Sequence, residues 1–182
     1  MKSEHFVVVI GGGAAGMIAA WRSAANGAHV ILLEKNPKLG IKILISGGGK
    51  CNITNGSDIQ LMLKQFQKNE SRFLKYSFHT FTNTRLLDLL HNEGVETYTR
   101  DNNKVFPKSH DAEDVVTAFQ RMMDRVHVDV RLQSPVKEMF INADGTFNIK
   151  TNREIIQAAR VIVATGGSSY QKTGTTGDGF RW

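Results

Sequence analysis

The feature that most constrains this chain is the run Gly11-Gly12-Gly13-Ala14-Ala15-Gly16, because of what stands on either side of it. Before it, Phe6-Val7-Val8-Val9-Ile10 is a short apolar run rich in β-branched residues, the pattern of a strand covered on both faces of a parallel sheet. After it, Ala14 to about Asn26 is alanine-rich and reads as a helix, with Gly27 placed to end it. Val30 to Leu33 gives a second buried strand, closed by Glu34. These pieces form a βαβ unit of about 30 residues with a right-handed crossover. The three fingerprint glycines of G-x-G-x-x-G then have separate work. Gly11 allows the tight turn, Gly13 lets the backbone approach a pyrophosphate, and Gly16 lets the helix close on the strand. The helix N-terminus adds free N–H groups and a partial positive charge that favour an anion. Glu34, 18 residues beyond Gly16, supplies the acceptor that the ribose hydroxyls of an unphosphorylated dinucleotide require. The competing reading is that the glycines merely serve packing.

Glycine placement extends the argument. Of 17 glycines, 12 fall within three short stretches, 11–16, 47–49 and 166–179, which suggests one large ligand touched repeatedly. The length of 182 residues fits one domain, expected to run over 1–182 without an obvious boundary, since there are three prolines and no repeat. A single cysteine excludes a disulfide framework and a cysteine-based zinc module, and it suits a reducing compartment. No apolar run approaches the roughly 18 residues of a membrane helix, and the N-terminus enters a strand directly. The expectation is a cytoplasmic protein without a membrane partner.

Residues 35–57 hold four lysines (35, 38, 42 and 50) and no acid, and read as a long basic loop. Asp58 caps a helix carrying Ile59, Met62, Leu63 and Phe66 on one face. A second helix is expected over Asn83 to Asn92, and a third from the cap Asp111 to about Arg125, with Glu113 and Asp114 complementing its dipole. Val126, Val128, Val130 and Leu132 alternate with polar residues, the mark of a strand exposed on one face. Strands over Val136 to Asn142 and Thr146 to Thr151 flank Asp144-Gly145, a strong hairpin signal. Arg160 to Thr165 reads as another buried strand, ending at Gly166-Gly167.

This α/β pattern differs from that of a simple NAD dehydrogenase, in which another βα unit soon follows the second strand. The β-meander leading to Val161-Ile162-Val163-Ala164-Thr165-Gly166-Gly167 resembles flavoproteins of the two-dinucleotide-binding-domain type, a Rossmann-like FAD-binding fold with a parallel sheet and a small antiparallel sheet. A narrower resemblance is carried by Gly40-Ile41-Lys42-Ile43-Leu44-Ile45-Ser46-Gly47-Gly48-Gly49-Lys50-Cys51-Asn52-Ile53-Thr54-Asn55, by Lys104-Val105-Phe106-Pro107-Lys108-Ser109 and by Gly174-Thr175-Thr176-Gly177-Asp178-Gly179. The chain resembles the BaiN-like (YhiN-like, aminoacetone-oxidase-like) bacterial oxidoreductases. That resemblance implies non-covalent FAD, a possible NAD(P)H donor and redox chemistry on a small-molecule substrate. It further implies that members run to about twice this length, with a substrate domain and a last FAD-domain segment that this chain lacks. Expected cofactor contacts are Gly11, Gly12, Gly13, Ala14, Ala15, Gly16, Glu34, Lys35, Lys42, Ser46, Gly47, Gly48, Gly49, Lys50, Cys51 and Asn52. Thr165, Gly166 and Gly167 join them near the diphosphate, with the Val136 backbone on adenine.

Simpler readings compete at several positions. Cys51 reads as a small packed residue, because no second cysteine can resolve it. Lys42 and Lys50 are assigned electrostatic help to the cofactor over a merely solvated face. Ser109-His110-Asp111 is read as helix capping, since consecutive side chains diverge and a triad must converge. The six histidines show no metal-ligand spacing. The net charge of +6 permits nucleic acid, but no aromatic-interleaved basic stretch is found and none is expected as a partner. Catalytic residues are unassigned. The rival functions are an NAD-dependent dehydrogenase, a tRNA-modifying flavoprotein relative and a non-catalytic, truncated dinucleotide-binding remnant.

Overall fold

The structure is a computed structural model in which residues 6–169, 176–180 and 182 are described. In chain order the elements are β1 (Phe6–Ile10), α1 (Ala14–Ala25), β2 (His29–Leu33), α2 (Ile41–Ile45), a 3-10 turn (Ser46–Gly48), β3 (Thr54–Asn55) and α3 (Ile59–Leu63). Then follow α4 (Lys68–Thr80), α5 (Asn83–Asn92), β4 (Thr97–Thr99), β5 (Lys104–Pro107), α6 (Ala112–Arg125) and β6 (Asp129–Arg131). The last are β7 (Glu138–Ile141), β8 (Phe147–Lys150), β9 (Ile155–Ala158), β10 (Arg160–Val163) and a 3-10 turn (Asp178–Phe180). The chain divides into two compact units, Met1–Lys42 with Phe119–Trp182, and Ile43–Ala118.

The first unit is built on a parallel sheet in the order β10-β1-β2-β6. Its centre is β1, where Val8 and Val9 are fully buried, as an apolar run covered on both faces requires. Helix α1 packs on β1, β2 and β10 and buries Met17 and Ala20. Strands β7, β8 and β9 form an antiparallel meander. Its inner residues Ile149, Ile156 and Ala158 cluster with Val8, Ile10, Ile31 and Leu33 of the parallel sheet. Burying an aliphatic side chain of this size stabilises the fold by about 1.5–3 kcal/mol, so this two-sheet contact is a main source of the unit's stability. The hairpin turn is the expected one: Gly145 stands at φ 79°, and the Asp144 carboxylate accepts the Thr146 N–H at 2.9 Å.

The second unit holds α3, α4, α5 and an antiparallel sheet in the order β3-β5-β4. Leu63, Leu90, Val95, Val105 and Phe106 are among its buried residues, and Arg100 stacks its guanidinium 4.2 Å from the Phe106 ring centre.

Several expectations hold. Helix α1 ends by Gly27, α5 spans Asn83–Asn92, and Asp58 and Asp111 accept the N–H groups of Gln60 and Glu113 as helix caps. Others need correction. The loop over 35–57 contains α2, the 3-10 turn and β3, pieces too short to show a period. Helix α3 stops at Leu63, before Phe66. Helix α4 and strands β4, β5 and β9 were not foreseen: α4 buries no residue, only Leu74 and Phe78 of its apolar side chains being half-buried, and the strands span three or four residues. The alternating run at 126–132 yields the short strand β6, an edge of the parallel sheet. Strand β10 is the other edge, which is why Val161 and Ile162 are half-buried and Val163 is exposed, against the expected full burial. Gly174 and Thr175 of the G-T-T-G-D-G motif, and Met1 to His5, lie outside the described residues.

Candidate dinucleotide site

The first unit brings β1, α1 and β2 together around the glycine run. Gly11 leaves β1 at φ 108° and donates its N–H to the Leu33 carbonyl at 2.8 Å. A Cβ there would stand 2.5 Å from the Ala164 carbonyl oxygen, so a side chain is excluded by geometry as well as by φ. At Gly16 a Cβ would overlap the Gly11 carbonyl, and at Gly12 it would overlap Leu39. Gly13 is different. Nothing described lies within 4 Å of its Cβ position, so the protein's own packing gives no reason for a glycine there. Gly13 is the N-cap of α1, makes no side-chain capping bond, and is followed by a first turn without an acid. The helix therefore presents its N-terminal N–H groups and partial positive charge beside open space, the conditions under which a phosphate binds.

Glu34 ends β2 at the same place. It is buried, with its Oε2 accepting the Gly12 N–H at 2.6 Å, and its Oε1 accepting the backbone N–H of Asn36 at 2.8 Å and the Asn36 side-chain amide at 2.6 Å. A carboxylate has about four acceptor positions. Three are filled, and the remaining one is on Oε2, next to the glycine turn. The backbone of Glu34 is fixed by bonds to Arg131 and Ser134, and Gly12 is fixed by the Gly40 N–H. Glu34 thus holds the turn, and among the described residues one acceptor position on Oε2 has no partner.

Ala164 donates to the Ile10 carbonyl, so the Thr165 to Gly167 segment leaves the sheet beside Gly11. Gly177 donates to the Gly167 carbonyl, and a Cβ on Gly179 would come 2.6 Å from Thr165 Oγ1, so this segment lies close against residues 177–179. Lys35 donates to Asp178 at 2.8 Å and to Thr176, committing its charge to protein partners. Val136 packs its side chain into the two-sheet cluster, two residues beyond Ser134, whose N–H binds the Glu34 carbonyl. Lys42 is exposed at the end of the first unit.

Ser46 to Asn52 belong to the second unit. Gly47, Gly48 and Gly49 take φ values of 59°, 69° and 85°, a left-handed run that explains three consecutive glycines. Ser46 Oγ donates to the Ile43 carbonyl, and the Ser46 carbonyl accepts the N–H groups of Gly49 and Cys51. Lys50 and Asn52 are exposed. Cys51 is buried with a free thiol, and burial outweighs a Ser46 hydrogen bond to push its pKa up, which suits a packed thiol better than a reactive thiolate. No group of three or more metal-ligating side chains occurs among the described residues.

Asn36 escaped the sequence reading, yet it supplies two of the three bonds on Glu34. Its signal was a short amide side chain two residues after a strand-closing acid. Asp178 escaped it as the partner of Lys35, a pairing across more than a hundred residues that no local pattern marks.

The family model described as "HI0933-like protein Rossmann domain" matches residues 5–182. The ribosomal RNA dihydrouridine synthase of Escherichia coli strain K12 is 28% identical over 179 residues, which cover 98% of this chain and 44% of that protein. The 3-dehydro-bile acid delta(4,6)-reductase of Clostridium scindens is 29% identical over 174 residues, covering 94% of this chain and 41% of that one. The chain thus spans less than half the length of these curated relatives. Among solved structures, THI4 of Thermovibrio ammonificans superimposes with a TM-score of 0.62 at 16% identity, over 98% of this chain and 65% of that one, a likeness of fold.

Proposed function

The chain belongs to the HI0933-like Rossmann-domain family, and on that premise we propose that it is the FAD-binding portion of a flavin-dependent oxidoreductase that reduces a carbon–carbon double bond. The observation that carries the cofactor is Gly13, a glycine with room beside it at a helix N-terminus, flanked by glycines that packing alone accounts for. In this reading the N–H groups after Gly13 hold the diphosphate, Oε2 of Glu34 accepts a ribose hydroxyl, the backbone at Val136 meets adenine, and Thr165 to Gly167 line the diphosphate. Lys42 contributes charge. Bound there, the flavin supplies two-electron hydride transfer, while the chain's residues bind and orient it.

Two of the relatives support this direction of reaction. A dihydrouridine synthase and a delta(4,6)-reductase are both named for adding hydrogen, which supports a reductase; NAD(P)H as its ultimate donor is part of the proposal. A small unsaturated ring is the substrate class that fits both names. The free thiol of Cys51 suits a cytoplasmic setting. Among the described residues no helix is long and apolar enough to cross a membrane.

The test is a titration of the purified 182-residue protein with FAD and, separately, with NAD. Saturable FAD binding with a perturbed flavin spectrum is expected, and NAD is expected to bind far more weakly. Colourless protein that takes up no added FAD overturns the reading.

A further inference from the structure

Helix α4 lies in the second unit and buries none of its residues. Leu74 and Phe78 are half-buried and mark the packed side. Lys68, Arg72, Lys75 and His79 follow one another at spacings of four, three and four, so they form one stripe along the helix. All four are exposed, and neither an ion pair nor a side-chain hydrogen bond engages Lys68, Arg72 or Lys75 among the described residues. Beside that stripe stand Phe73 and Tyr76, 85% and 80% exposed, three residues apart and so on one ridge. An open cleft of about 400 Å³, lined by Phe66, Asn69, Glu70, Phe73 and Leu74, borders the ridge.

Exposed apolar side chains scattered singly need no explanation, but two large rings side by side next to three unpaired cations do. Water solvates the cations well and the rings badly. An acidic protein surface would answer the cations and leave the rings idle, and an apolar protein surface would desolvate the cations at a cost. Single-stranded nucleic acid answers both at once, with phosphates on the cationic stripe and unstacked bases on the aromatic ridge. The sequence reading finds no aromatic-interleaved basic stretch. Once residues 68–80 are a helix, Lys68-Asn69-Glu70-Ser71-Arg72-Phe73-Leu74-Lys75-Tyr76 is one.

We propose that the Lys68–Arg72–Lys75 stripe and the Phe73–Tyr76 ridge of α4 bind single-stranded RNA by phosphate contact and base stacking. The choice of RNA over DNA rests on the reductase reading above and on the relative named for acting on ribosomal RNA; the surface itself rests on α4 alone.

The test measures binding of the 182-residue protein to a fluorescent uridine-rich RNA of about 20 nucleotides, across a salt series, for the parent chain, the triple variant K68Q/R72Q/K75Q and the double variant F73A/Y76A. The triple variant is expected to flatten the logarithmic salt slope by about 2, the loss of three phosphate contacts on a single strand. The double variant is expected to weaken binding tenfold or more while leaving the salt slope unchanged. All five positions are exposed, so melting temperatures should match the parent, and FAD titrations should match as well. Absence of RNA binding, or RNA binding equal in parent and variants, overturns the proposal. So does a dimer of the parent chain that F73A/Y76A dissolves, because the ridge would then serve a second copy. FAD binding is read on the same samples, and its failure would overturn the reductase reading, and with it one ground for RNA over DNA, without touching the α4 surface that the RNA titration reads.

Discussion

At the scale of single residues, the glycines of one fingerprint divide into two kinds. Gly11 and Gly16 are required by the backbone around them, a side chain on Gly12 would have to displace the end of Leu39, and Gly13 is left open among the described residues. Gly13→Val should therefore cost the protein less than about 1 kcal/mol of stability, the range of a helix-cap change, while abolishing measurable FAD binding. Gly16→Ala should reverse that pattern, lowering the melting temperature of the protein without ligand. Equal effects of the two on apo-protein stability would argue against the division. Glu34→Ala leaves the buried Gly12 N–H without its acceptor and should destabilise by about 1–3 kcal/mol, and FAD affinity should fall with it. Asn36→Ala offers a control, since it loosens the carboxylate without removing it; a loss of FAD affinity as large as that of Glu34→Ala would place the effect in the turn rather than in the hydroxyl contact. The fingerprint and its acid were legible because both are local in sequence. Asn36 and Asp178 were not, because their roles depend on which atoms the fold brings near Glu34 and Lys35.

At the scale of elements, legibility followed length and burial. Strand β1 and helices α1, α5 and α6 could be read because each carries a long apolar pattern or a cap. Strands β3, β4 and β5 could not, since two to four residues give no period, and tertiary pairing rather than propensity sets them. Helix α4 has only a short apolar side, Leu74 with Phe78, and its capping box, in which Glu70 accepts the Gln67 N–H at 2.9 Å, was the one signal of its start. The meander was foreseen in two of its three strands, through the Asp144-Gly145 turn. Its contact with the parallel sheet centres on Ile149, which is fully buried. Ile149→Ala should destabilise the protein by about 2–5 kcal/mol, seen as a lower melting temperature and denaturant midpoint. A change under 1 kcal/mol would mean that the two sheets do not share a packed core.

At the scale of the whole molecule, the chain comprises two compact units, one of them formed by segments from both sides of the other in sequence. Every residue placed at the dinucleotide site by the fingerprint, by Glu34 and by the Thr165 to Gly167 segment lies in the first unit. The glycine-rich loop that carries the narrower family resemblance lies in the second. If FAD binds as proposed, saturating it at a hundred times its dissociation constant should stabilise the protein by about 2.7 kcal/mol, read as a concentration-dependent rise in melting temperature. No rise with FAD, or an equal rise with NAD, would count against it.

The strand order β10-β1-β2-β6 has a consequence in time. Strand β1 pairs in register with β10, so Ile10 meets Val163 only after some 150 further residues have been made. At about 5–20 residues per second, a ribosome takes roughly 8–30 s to deliver that partner. Through that interval one edge of the molecule's most apolar strand has no native neighbour, an invitation to pair with another nascent chain. The five residues of β1 are thus made long before their β10 edge is protected, and the burden on the cell's chaperones is set by where the sheet is closed.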